Sequence, residues 1–176
     1  MTLPLNIVPK PTLELSHQKI HEGNHFSVHK FTLGVAAIKY FLIIPPPVQP
    51  DGSVIEMHLI FEISTNVAGG ILEFFENPTI TANGTSLDII NNNRRSSTVS
   101  LSQVFEGPTV TSDGTSLLQQ IGGTATTGTN LGELNRSEEE TVLSPSFNYI
   151  IKFTPSAATD LTTELNWYDN RPSSPV

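Results

Sequence analysis

A chain of 176 residues fits one domain better than two, and a domain of that size buries roughly 70% of the surface its unfolded form exposes. Its formal charge of -8 comes from 9 basic and 17 acidic residues, with Arg94-Arg95 the only adjacent basic pair; phosphate binding needs clustered Lys and Arg, so nucleic acid is not an expected partner. The absence of cysteine removes disulfides and thiolate metal sites, Met1 to Lys10 lacks the basic-then-apolar pattern of a secretory signal, and no run nears the ~18 apolar residues that cross a bilayer, so no membrane partner is expected.

Pro4, Pro9 and Pro11 oppose helix near the start and few residues there alternate, which predicts an extended arm over residues 1–15. A sandwich domain is expected over 16–170, and a frayed tail over 171–176 with Pro172 and Pro175. The clearest strand follows the turn at Pro50-Asp51-Gly52. Ile55, Met57, Leu59, Phe61 and Ile63 share one parity, against Glu56, His58, Glu62 and Ser64 on the other. Such alternation marks a strand with one buried face. Phe147, Tyr149, Ile151 and Phe153 repeat the pattern, as do Leu161, Leu165 and Trp167. Further strands are predicted at 25–33, 37–44, 71–76, 86–90 and 98–104. Loops are predicted at Pro45-Pro46-Pro47, Ala68-Gly69-Gly70, Asn91-Asn92-Asn93 and from Gly122 to Gly132. Roughly eight strands at this spacing read as an all-β, antiparallel sandwich, jelly-roll-like. Leu59, Phe61, Tyr149, Ile151, Leu165 and Trp167 are its expected interior.

One repeat stands above composition. Residues 75–87, Phe-Glu-Asn-Pro-Thr-Ile-Thr-Ala-Asn-Gly-Thr-Ser-Leu, return thirty residues later at 105–117 as Phe-Glu-Gly-Pro-Thr-Val-Thr-Ser-Asp-Gly-Thr-Ser-Leu. Nine of the thirteen positions are identical. Pro78 and Pro108 bar pairing where they stand. Asn83-Gly84 and Asp113-Gly114 are strong tight-turn dipeptides. Each copy therefore reads as a strand, a kink and a hairpin. Two copies are too few for a solenoid.

The chemistry-bearing residues are sparse in pattern. His17, His21, His25 and His29 recur every four residues. Glu22-Gly23-Asn24 interrupts a helix through them, and a strand sets i and i+4 about 13 Å apart, so they are read as hydrogen-bonding histidines with no metal or other cofactor. No Gly-x-Ser-x-Gly elbow and no phosphate loop is present. No spacing singles out a carboxylate pair of the glycosidase kind. No catalytic residue is therefore assigned. Trp167-Tyr168 could form a sugar platform, but parity places Trp167 in the core.

Several residues together resemble a known family. Ile20-His21-Glu22-Gly23-Asn24-His25-Phe26 is similar to the "HEG-aromatic" opening of small virion proteins encoded beside major capsid genes of tailed bacteriophages. There follow His58 in a later strand, Pro78-Thr79…Gly84-Thr85, the Asn/Arg/Ser-rich stretch Asn91 to Ser97, Pro108-Thr109…Gly114-Thr115, and the closing Trp167-Tyr168. The resemblance spans about residues 17–168. It implies a β-sandwich virion protein of the head decoration, or cement, family: non-enzymatic, on the capsid exterior, bound to the major capsid protein, assembled in the bacterial cytoplasm and homo-oligomeric, as a trimer. Arg94, Arg95, Pro9 and Pro11 are the candidate partner contacts. The competing expectations are a phage tail or receptor-binding module with a sugar-binding sandwich, and a small glycan hydrolase.

Overall fold

β-Branched and aromatic residues outnumber strong helix formers along the alternating segments, and strands follow. The computed structural model describes residues 15–66, 68–122, 132–135 and 140–171, with 15, 16 and 132–135 as backbone alone. In chain order the elements are α1 (Leu15–Glu22), β1 (His25–Val35), β2 (Lys39–Ile44), β3 (Glu56–Thr65), β4 (Gly70–Glu76), β5 (Thr79–Ala82), β6 (Thr85–Ser86), β7 (Ile90–Asn91), β8 (Gln103–Glu106), β9 (Thr109–Ser112), β10 (Thr115–Gly122), β11 (Gly132–Asn135), β12 (Thr141–Leu143), β13 (Tyr149–Pro155) and β14 (Thr159–Asn170). The expected arm, Pro9 and Pro11 included, lies outside the described residues except for Leu15, and the expected tail does so except for Arg171.

One sheet runs β11–β3–β14–β1–β7, with β12 also paired to β3. The other runs β10–β4–β13–β2–β8–β6. A separate ribbon is β5–β9. All the pairings are antiparallel. The expected antiparallel sandwich is therefore the observed one. The three alternating segments become β3, β13 and β14, and all six residues expected inside are buried. They join Phe41, Ile43, Leu72, Phe74 and Phe153 in one core between the two large sheets. Each such side chain contributes about 1.5–3 kcal/mol by leaving water.

Three expectations are corrected. Phe147 is 38% exposed, because β13 begins only at Tyr149. The strands expected at 86–90 and 98–104 shrink to β6, β7 and the start of β8. Side chains there bond their own backbone: the Asn91 and Asn93 carboxamide oxygens accept from the N–H groups of Asn93 and Arg95, and the Ser96 and Ser100 hydroxyls from those of Thr98 and Ser102. Such local bonds compete with a ladder.

The third correction concerns the repeat. Neither copy is a hairpin. β5 pairs with β9, β6 with β8, and β10 with β4, so each copy crosses over to the other. A two-residue type I′ turn needs positive φ at both central residues. Here Gly84 (φ 90°) and Gly114 (φ 88°) have it, and Asn83 and Asp113 do not. The chain therefore bends into the neighbouring copy. Thr85 lies opposite Glu106, and Thr115 opposite Glu76. Leu42 pairs with Ile150, with Phe105 beyond Leu42 and Phe75 beyond Ile150. This register makes the sheet order symmetric about a pseudo-two-fold axis between β2 and β13. Leu42, Phe75 and Ile150, with Ile80, Phe105 and Val110 against them, form a second, small core at that axis.

Candidate functional site

The HEG turn and the Asn/Arg/Ser-rich stretch meet beside the start of β1. Helix α1 ends at Glu22, because Gly23 takes φ 73°. Its N–H bonds the Ile20 carbonyl at 3.0 Å, and the Asn24 N–H bonds that of Lys19 at 2.9 Å. These are the paired bonds of a Schellman stop. The turn expected to interrupt a helix through the histidines thus terminates one, and His17 and His21 sit on it while His25 opens β1. Gly23 is buried against Ser96, whose Oγ lies 2.3 Å from where a Cβ would stand.

The Asn-rich stretch closes over this turn. Asn91 Nδ2 donates to the Gly23 carbonyl at 2.9 Å and to that of Thr98 at 2.8 Å. Asn93 Nδ2 donates to the His21 carbonyl at 3.1 Å. Asn92 Nδ2 meets His25 Nδ1 at 2.7 Å, and its Oδ1 accepts from Ser27 Oγ at 2.8 Å. Burial holds the His25 imidazolium below the usual histidine range. A groove of about 270 Å³ beside the junction is lined by Phe26, Ile89, Asn91, Ser96, Thr98 and Ser100 among others. Ser100 in its lining meets Asp169 Oδ2 at 3.5 Å; Asp169 is 0% exposed, and its Oδ1 is unpartnered among the described residues. Burial pushes its carboxyl up to about 6, against the pull of Arg171 at 3.6 Å.

Arg94 and Arg95 are exposed at the tip of this stretch. Lys19, Lys30, Lys39, Lys152 and Arg171 all sit in ion pairs. Among the described lysines and arginines, Arg94 and Arg95 alone do not.

A second polar cluster was not legible in advance. Glu140 Oε2 accepts from Tyr168 Oη at 2.6 Å and meets His58 Nδ1 at 3.2 Å. The His58 ring stacks on Tyr168 at 4.5 Å. Burial, then the Glu140 carboxylate, raises the Tyr168 phenol above the usual tyrosine range. His58 lies on the polar parity of β3 and Glu140 ends an acidic run, but no spacing links residues 82 apart. The cluster ties Glu140 to the sheet. Trp167 and Tyr168 are each 1% exposed, so neither offers a sugar platform. Among the described residues no three His, Asp or Glu converge as for a metal ion, and no helix is long and apolar enough to cross a membrane.

Compared with family models, with curated proteins and with solved structures, the chain matches none.

Proposed function

We propose that this chain is a head decoration protein of a tailed bacteriophage, which binds the major capsid protein from outside, as a homotrimer, and stabilises the shell without catalysis. The supporting observation is the junction just described. There the HEG turn is bonded to the Asn/Arg/Ser stretch some seventy residues away, and elsewhere on the sandwich one Pro-Thr…Gly-Thr unit pairs with the other. In this reading Arg94 and Arg95 meet carboxylates of the capsid, which suits cations left outside any ion pair on an acidic chain. Phe31 and Leu33, 61% and 71% exposed on β1, supply the contact between copies.

The test mixes purified protein with undecorated particles and follows their thermal rupture. The rupture temperature should rise with free protein above the dissociation constant. Arg94→Ala with Arg95→Ala should weaken binding, most at low salt, while changing the protein's own stability by less than ~0.5 kcal/mol. Deleting residues 1–14 should weaken binding and leave the sandwich folded. Protein that neither binds nor stabilises the shell, or that retains host glycans instead, overturns the reading.

A further inference from the structure

The spacing of four among the histidines has two structural outcomes. His25 and His29 fall on β1, where that spacing separates side chains. His17 and His21 fall on α1, where it stacks them one turn apart on the same face. Their ring centroids are 4.8 Å apart and their Nε2 atoms 3.0 Å apart, and both side chains are exposed. Two imidazole nitrogens bound side by side to one ion at ~2.0–2.1 Å stand about 2.9–3.4 Å apart, depending on whether the geometry is square or tetrahedral. The observed separation already lies in that interval.

We propose that His17 and His21 form a bidentate site for a borderline divalent d-block ion, of the Zn²⁺ or Cu²⁺ class. In the bound form each ring carries its proton on Nδ1 and turns the Nε2 lone pair to the ion. In the present contact one Nε2 donates and the other accepts, so the bound form needs the donor to move its proton to Nδ1 or release it, with little movement of either ring. The helix is held for the task from below. The Gly23 stop fixes its last turn, Asn93 grips the His21 carbonyl, and Glu22 is occupied by Gln18 at 2.7 Å and Lys19 at 3.0 Å. No third His, Asp or Glu among the described residues joins the pair. The remaining positions on the ion are open to water or to the same pair from a second copy. This inference rests on α1 and is independent of the role proposed above.

The experiment is isothermal titration of the untagged full chain with Zn²⁺ and, separately, Cu²⁺ at neutral pH. Binding is expected at one ion per chain, or at one ion per two chains with dimers in sedimentation if a second copy completes the coordination. His17→Ala and His21→Ala should each lower affinity at least about tenfold. His29→Ala should leave it unchanged. Added Zn²⁺ should raise the melting temperature of the parent chain and not of His17→Ala, whose metal-free melting should match the parent. Binding should be lost near pH 5, because the ligating rings must be neutral. No binding by the parent chain, or undiminished binding by His17→Ala, overturns the site.

Discussion

The two copies of the repeat share a backbone and differ in their surroundings. Asn77 and Gly107, the kink residues, both take positive φ, 57° and 69°, at a position where the sequences diverge but only between residue types that tolerate it. Their N–H groups bond equivalent carbonyls, of Asn148 and Tyr40. The side chains beside them part company. Glu76 accepts from the buried Tyr149 hydroxyl at 3.0 Å, and burial pushes that phenol up to about 12. Glu106 instead faces Lys30 at 3.1 Å and Lys39 at 3.2 Å. Asp113 accepts from Lys152 at 2.8 Å and from Tyr40 at 3.3 Å, while its counterpart Asn83 is exposed. Local sequence therefore sets the course of the chain in each copy, and the strand that happens to lie opposite sets the electrostatics.

If the copies truly embrace each other, the largest effects should come at the two turn glycines and should be nearly equal. A Cβ on Gly84 would stand 2.3 Å from the Glu106 carbonyl oxygen, and one on Gly114 2.3 Å from that of Glu76. Backbone strain at positive φ costs about 1–3 kcal/mol and the clash about as much again. Gly84→Val and Gly114→Val should each lose about 3 kcal/mol or more in urea unfolding. Gly107→Ala, with φ 69° but nothing within 4 Å of its Cβ, should lose only about 1 kcal/mol. Equal, small losses at all three would break the symmetric picture.

The paired phenylalanines should separate the copies. Phe75 is 7% exposed, whereas Phe105 is only partly buried. Phe75→Ala should cost about 3 kcal/mol, at the low end for a buried ring, and Phe105→Ala distinctly less. Chemical denaturation of the two variants side by side checks the order.

The smallest expected effect is one of pH, confined to the second copy. Burial alone would raise the Glu106 carboxyl, but Lys30 and Lys39 outweigh it and hold the group below its usual value. A carboxylate depressed in the folded state binds protons less readily there than when unfolded. Its contribution is present above the unfolded pKa and is lost as pH falls through the folded one. Glu106→Gln should therefore lower stability at pH 7 and reduce the further loss on going to pH 3. An unchanged pH profile in that variant would show that the two lysines do not grip the carboxylate in solution.

Much of this was legible in residue order. Period-two alternation identified β3, β13 and β14 and placed Phe61, Tyr149 and Trp167 inside, because a strand with one dry face can carry no other pattern. The repeat was visible as nine identities over thirteen aligned positions, and its glycines did adopt positive φ. What the chain alone could not decide was whom each segment would pair. A single left-handed residue bends the backbone, but only the neighbouring copy determines whether the strand beyond closes on itself or crosses over. Spacing four left His17 and His21 ambiguous in the same way, since it is compatible with a helix face and with a strand face, and Gly23 settles it by stopping a helix against Ser96. The contact between His58 and Glu140, and the burial of Asp169, depend on strands brought together from distant parts of the chain. Side-chain chemistry of that kind is a property of the folded sheet, since no local preference encodes a partner eighty residues away.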